Sequence, residues 1–240
     1  MNRGEGGIRV DCGHHQTSQL CVSKVPFFNH LAYEEMVKIT EISVHRTYEK
    51  GEIIHQASDP LDYLYIVHIG SVKIYQLFES GKEQILRILE TGMFFGELAL
   101  FTEKKLESYA EALEKTNICM IHRDQMQQLM LEHPTIAVKI LEQFSQRLDD
   151  ADKLIGELSA KDVEARIAGY LLDLVGQQQT LKLRLPITKK DLASLLGTTQ
   201  ETLSRRMTNF QRKGMIEQEG HKKIQILNQE ELEKIASSVV

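Results

Sequence analysis

The chain has 240 residues, 42% of them hydrophobic, and a formal net charge of −5. That is enough chain for one large or two modest globular domains, and the acidic balance argues against a protein that coats polyanions over its whole surface while leaving room for a local basic face. No run of about eighteen apolar residues is present, and the N-terminal MNRGEGGIRVDCGHH lacks the apolar core of a signal peptide, so a cytoplasmic protein without a membrane span is expected.

Residues 1–28 are polar and glycine-rich and read as a loosely held arm. Within it Cys12, His14, His15 and Cys21 crowd four soft or borderline metal ligands together. With Cys119 the chain holds three cysteines. An odd, small number argues against a disulfide framework and for metal binding, redox chemistry or burial. Pro26, Phe27 and Phe28 lead into an amphipathic helix near Ala32–Ile42. From Ser43 to Ile121 the pattern changes to short β runs, such as Tyr63–Ile69, Ser71–Phe78 and Glu83–Leu89, with turn residues at Lys50-Gly51, Ser80-Gly81 and Thr91-Gly92. This spacing predicts a β-sandwich or jelly-roll barrel over residues 29–132, closed by a helix at Arg123–Glu132.

Pro134 suits the first turn of a further helix. In it Ala137, Leu141, Phe144, Leu148, Ala151, Ile155 and Leu158 recur at alternating steps of four and three. A helix packed on its own domain presents a wider stripe. A two-in-seven seam flanked by Lys139, Glu142, Arg147, Asp149 and Asp150 instead predicts a dimerisation helix over residues 133–158.

Residues 159–240 read as a winged helix-turn-helix. Ser159 is expected to cap a helix whose apolar face runs through Ala165, Ile167, Ala168, Leu171 and Leu174. Two short helices follow in Ile187–Met215, separated by Gly197, which takes a left-handed turn at little steric cost. The second has Leu203, Met207 and Phe210 inward and Gln200, Glu201, Ser204 and Arg205 between them. Polar, acidic and guanidinium groups near a helix N-terminus are the inventory for reading base edges in a major groove. Glu217–Leu227 reads as a hairpin around Gly220, a wing able to touch phosphates. The cations Lys189, Lys190, Arg205, Arg206, Arg212, Lys213, Lys222 and Lys223 all follow Thr188, a bias that suits phosphate contacts. No nucleophile elbow, Walker loop or His-Glu-x-x-His spacing is present, so an enzyme is not expected.

This α+β order of β-roll, long dimer helix and winged helix-turn-helix resembles the CRP/FNR superfamily of bacterial transcription regulators over nearly the whole chain. The resemblance is carried by Gly70-Ser-Val-Lys, by Gly92-Met-Phe-Phe-Gly-Glu-Leu-Ala-Leu-Phe101 and by Thr199-Gln-Glu-Thr-Leu-Ser-Arg-Arg206. It is closest to the FNR-like, Flp-type branch of low-GC Gram-positive bacteria. The resemblance implies a homodimer that binds a palindromic double-stranded operator and works with RNA polymerase. Glu201, Ser204 and Arg205 match the FNR-type base readers, which implies a TTGA…TCAA-like inverted repeat; Gln200 departs from the pattern and leaves the outermost base open. Lys189, Thr199, Arg206, Arg212 and Lys222 are the expected phosphate partners.

The resemblance also bears on the effector. In cyclic-AMP receptors the Gly-Glu-Leu motif is followed by an Arg-Ser pair that binds the nucleotide. Here Gly96 and Glu97 are followed by Glu107 and Ser108, a carboxylate where a phosphate must sit, so no cyclic AMP binding is expected. FNR-type sensors hold an oxygen-labile iron–sulfur cluster on three arm cysteines and one distant cysteine. Cys12, Cys21 and Cys119 match three of these, and His15 stands at the fourth. The alternatives are an iron–sulfur cluster or zinc on Cys12, His15, Cys21 and Cys119, with His14 able to serve in a zinc site, a thiol–disulfide switch between Cys119 and the arm, or a buried Cys119 with no sensing role, in which case the roll would take another small effector. A charged residue in the FNR-type seam keeps the ligand-free form monomeric. The matching position here is Ala151, which implies a dimer irrespective of the arm.

Overall fold

The computed structural model describes residues 21–238 except Leu61, Glu103, Lys104 and His221, and the side chains of Cys21, Lys153, Leu154, Glu157, Leu158 and Ser159 fall outside that description. The chain divides between Ser145 and Gln146 into two compact units.

The N-terminal unit is a β-roll. Among the described residues its strands are β1 (Val44–Tyr48), β2 (Ile53–His55), β3 (Tyr63–Ile69), β4 (Val72–Leu77), β5 (Glu83–Leu89), β6 (Phe94–Phe95), β7 (Tyr109–Ala112) and β8 (Thr116–His122). They form two antiparallel sheets, β1-β8-β3-β6 and β2-β7-β4-β5. Side chains alternate across a strand, and β8 shows both faces at once. Ile118 and Met120 join an inner core with Val67, Val72, Ile74 and Phe95, while Cys119 and Ile121 join an outer core with Phe27, Phe28, Ile39 and Ile66. Both faces of this sheet are therefore covered, which is why its strands read as nearly unbroken apolar runs.

The cover over the outer face comes from α1 (Tyr33–Ile42), α2 (Arg123–Glu132) and the start of α3 (Pro134–Ala160), which contributes Ile136 and Ile140. It also includes the end of the arm. Cys21–Lys24 is a turn of 3-10 helix, and Val22, Val25, Phe27 and Phe28 are fully buried. Residues 22–28 thus pack with the roll, although their composition groups them with the polar arm.

The C-terminal unit contains α4 (Val163–Gln178), β9 (Lys182–Arg184), α5 (Lys189–Leu195), α6 (Gln200–Arg212), β10 (Ile216–Glu219), β11 (Lys223–Ile226) and α7 (Gln229–Ala236). The wing sheet has the order β10-β11-β9, turning at Gly220 with φ 68°. The expected cap at Ser159 is corrected. Helix α3 continues through Ala160, and Asp162 caps α4, its carboxylate accepting from Ala165 N–H at 2.8 Å. An ionised cap accepts the orphan amides of a helix start more strongly than a hydroxyl does. Helix α7, absent from the sequence reading, packs on α4 through buried Leu232; its dense charge hides the helical stripe.

Candidate nucleic-acid interface and sensor residues

Helix α6 is placed by its two ends and its inner face. Gly197 takes φ 67° in the turn from α5. Thr199 caps α6, its hydroxyl oxygen accepting from Thr202 N–H at 3.2 Å. Leu203, Met207 and Phe210 are buried. At 3.6 residues per turn the opposite face carries Glu201, Ser204, Arg205, Thr208 and Arg212. Gln200, Glu201 and Arg205 are exposed and Ser204 is half-exposed. Glu201, Ser204 and Arg205 thus lie on the outer side of one helix, while Gln200, the first residue of α6, is exposed about 100° round from Glu201. Thr208 extends their face; its signal in the sequence is its step of seven from Glu201.

The five expected phosphate partners separate into two kinds. Arg212 and Lys222 are exposed, and Lys222, Lys223 and Arg184 rim an open basic recess with Glu219 on the wing. The other three are engaged within the domain. Lys189 Nζ donates to Gln218 Oε1 at 2.7 Å, joining α5 to the wing. Thr199 is occupied as the cap. Arg206 Nη1 donates to Glu164 Oε1 at 2.8 Å, turned away from the side of α6 that carries Arg205.

Along α3, Leu141, Leu148 and Ile155 are 61%, 64% and 63% exposed among the described residues. Ala151 is exposed too. Ala137 and Phe144 are half-buried, and Phe144 meets Phe101 edge-to-face with ring centroids 5.8 Å apart. Val138, at 55% exposure, widens the apolar face beyond the seven expected positions. Leu158 belongs to α3, but its side chain lies outside the described residues.

In the roll, Gly96 has φ 84°, and a Cβ there would come within 2.5 Å of the Tyr63 carbonyl oxygen. The Gly96-Glu97-Leu98 motif is therefore a tight turn that the backbone of β3 demands. Glu97 is buried and faces Arg87 at 4.0 Å. Beside them is a cavity of about 170 Å³ lined in part by His55, Arg87, Phe95, Glu97 and Ser108. Glu107 is exposed and does not line it, so its carboxylate does not occupy the place in the cavity that the sequence suggests. The cavity is smaller than the roughly 300 Å³ at which ordinary ligand pockets begin.

Cys119 is fully buried. The register of β1 on β8 sets His45 opposite it, and Cys119 Sγ lies 3.0 Å from His45 Nδ1. The tautomer follows from the next contacts. Ser43 Oγ donates its hydrogen to the Thr40 carbonyl at 2.7 Å, and the same oxygen sits 3.0 Å from His45 Nε2. With the one hydroxyl hydrogen used, Nε2–H is the donor to Ser43, and Nδ1 presents its lone pair to the thiol. Burial pushes the His45 imidazole below the usual histidine range, in keeping with a neutral ring. This partner of Cys119 has no signal in the sequence beyond a histidine in a short strand.

Of the expected metal or redox set, Cys12, His14 and His15 lie outside the described residues, as does the side chain of Cys21. Among the described residues no group of three or more histidine, cysteine or carboxylate side chains is placed to hold a metal ion.

Residues 45–133 match the cyclic nucleotide-binding domain family, and residues 165–235 match the Crp-like helix-turn-helix domain family. The chain is 33% identical over 216 residues to the probable transcriptional regulator flp of Lacticaseibacillus casei, covering 90% of this chain and 98% of that one. It is 31% identical over 237 residues to the fumarate and nitrate reduction regulatory protein of Vibrio cholerae, covering 96% and 92%. Among solved structures, FixK2 from Bradyrhizobium japonicum shares the fold at a TM-score of 0.71 and 24% identity, over 83% of this chain and all of that one. The c-di-GMP-responsive regulator CLP of Xanthomonas campestris superposes at a TM-score of 0.69 and 27% identity, over 78% and 95%.

Proposed function

Because this chain belongs to the CRP/FNR family of DNA-binding transcription regulators, we propose that it is a cytoplasmic homodimer that reads a TTGA…TCAA-like palindrome and acts with RNA polymerase. The observation that carries the reading is the outward face of α6, where Glu201 and Arg205 are exposed beside half-exposed Ser204. Arg205 takes guanine through two parallel donors, Glu201 accepts from a base amino group on the opposite strand, and Ser204 meets a thymine. Arg212, on the same face, and Lys222, on the wing, are exposed cations available as phosphate partners. Two heads related by a two-fold axis then meet half-sites about one DNA turn apart. Arg205→Ala is expected to cost about 1–3 kcal/mol of specific binding and to relax discrimination at one base pair, measured by anisotropy titrations on single-base operator variants. Equal loss on every sequence would make Arg205 a phosphate contact.

The dimer reading is supported by Leu141, Leu148 and Ile155, an apolar edge repeating every seven residues that one copy leaves in water. Sedimentation in reducing buffer is expected to give a dimer at micromolar concentration; a monomer there would defeat it.

For the input we propose thiol redox chemistry at Cys119, reported to the arm through Cys12 or Cys21. The contact of Cys119 Sγ with His45 Nδ1 at 3.0 Å supports it, since it gives a thiol in an otherwise apolar core one polar partner within proton-transfer reach. An iron–sulfur cluster or zinc on Cys12, His15, Cys21 and Cys119 is the competing reading. Iron-band absorbance, metal content and free-thiol count before and after peroxide separate them. The small roll cavity supports a regulator that does not take cyclic AMP, and micromolar affinity for it by calorimetry would overturn that.

A further inference from the structure

Arg206 sits next to Arg205 in the chain but on another side of α6. Its guanidinium donates to Glu164 Oε1 at 2.8 Å, and Asn209 Nδ2, one turn further along, donates to the same oxygen at 3.2 Å. The Glu164 side chain is only 18% exposed, so water competes weakly for these bonds. Glu164 belongs to the first turn of α4, two residues after the cap Asp162. Two residues on, Arg166 Nε donates to the Leu196 carbonyl at the end of α5, and its Nη1 donates to the Lys161 carbonyl at 2.7 Å. One helical turn therefore grips the reading helix, the turn before it and the junction behind it, all within the C-terminal unit.

We propose that Glu164 is a positioning residue for DNA recognition, fixing the rotation of α6 about its own axis, with Arg166 holding the α5–α6 turn against the same support. This rests on α6 being the reading helix. Two contacts to one carboxylate oxygen from residues a turn apart resist both rotation and tilt. Rotation matters because side-chain tips lie roughly 5–6 Å from a helix axis, so a turn of about 15° moves them by about 1.5 Å. That is enough to spoil a bidentate contact with a base. The arrangement also assigns Arg206 to pose rather than to phosphate. A guanidinium held by a carboxylate releases no DNA counterion, so it leaves the salt dependence of binding alone.

The test uses the full chain, a duplex bearing the TTGA…TCAA inverted repeat, a scrambled duplex of equal length, and a salt series. Glu164→Ala and Arg206→Ala are each expected to weaken specific binding about tenfold or more. Binding to the scrambled duplex and the slope of log K against log salt stay as in the parent. Glu164→Gln, whose amide oxygen can still accept from both partners, is expected to recover affinity to within about threefold of the parent. The proposal is overturned if Arg206→Ala weakens both duplexes alike and flattens the salt slope by about one unit, the signature of a phosphate contact. Wild-type specific binding in Glu164→Ala overturns it equally. If Glu164→Ala does not fold, as judged by circular dichroism, Arg206→Ala and Glu164→Gln decide the matter on the same criteria. Arg205→Ala serves as the control for the underlying reading: if it leaves base discrimination intact, α6 is not the reader, and the positioning role falls for that separate reason.

Discussion

Helix α6 holds Glu201 and Arg205 out in solvent, whereas the roll draws His55, Lys73 and Cys119 into its interior. Glu201 and Arg205 keep their hydration where they stand, and the residues behind them, Leu203, Met207 and Phe210, supply rigidity. A polar group drawn inside needs partners there to offset its lost hydration. Cys119 faces the acceptor nitrogen of His45, and Lys73 sits between Glu83 at 3.4 Å and Glu111 at 3.1 Å, 4.6 Å above the Tyr75 ring. The contrast is testable, because outward groups should be removable with little cost in stability and inward ones should not.

The largest effect is expected where the roll's backbone admits no side chain. Gly96→Ala places a Cβ about 2.5 Å from the Tyr63 oxygen at a positive φ. A loss of roughly 3 kcal/mol or more is expected by urea denaturation. A loss below about 1 kcal/mol would show that the motif is not held as a turn, and would return Glu97 to consideration as a ligand contact. Cys119→Ala comes next. Removing a small buried sulfur is expected to cost about 1 kcal/mol, while abolishing any response of operator binding to peroxide. If peroxide still changes binding in that variant, the sensor lies in the arm alone.

The same contrast explains what could be read from the chain. Glu201, Ser204 and Arg205 fall within one short helix, so helical periodicity alone places them on one side. His45 and Cys119 are 74 positions apart and meet only because β1 pairs with β8 in one register; nothing local encodes that pairing. Arg166 and Glu164 were hidden for a related reason, since their partners Leu196 and Arg206 lie one and two helices downstream. On α3 the seven-residue spacing of Leu141, Leu148 and Ile155 appears in the structure as an exposed apolar edge. Towards its start it is shifted, with Val138 exposed and Phe144 turned partly to Phe101. A seven-residue repeat drifts by about 20° per heptad around a straight helix, and the roll takes up one side of that drift.

The smallest expected effect is on pH. Burial lowers the pKa of His45, His55 and His68; at His55 nearby Asp59 opposes this, and at His68 Lys24 and His45 reinforce it. A histidine whose folded pKa is depressed takes up its proton more readily in the unfolded chain. Its full contribution to stability is therefore present above the ordinary value of 6.5 and is lost as pH falls below it. Each ring contributes at most about 1.4 kcal/mol per pH unit, and half-exposed His45 and His68 contribute less through solvent screening. A loss near 1 kcal/mol lowers the melting temperature of a chain this size by about 2–4 °C. Thermal melts at pH 7.5 and pH 5.5 should differ by at least that much, and the difference should shrink in His55→Gln, which removes the titrating ring from the most buried of the three sites. An unchanged difference in that variant would mean that carboxylates, not the inward histidines, set the acid limit, and the roll would then keep its buried histidines for packing rather than for any response to protons.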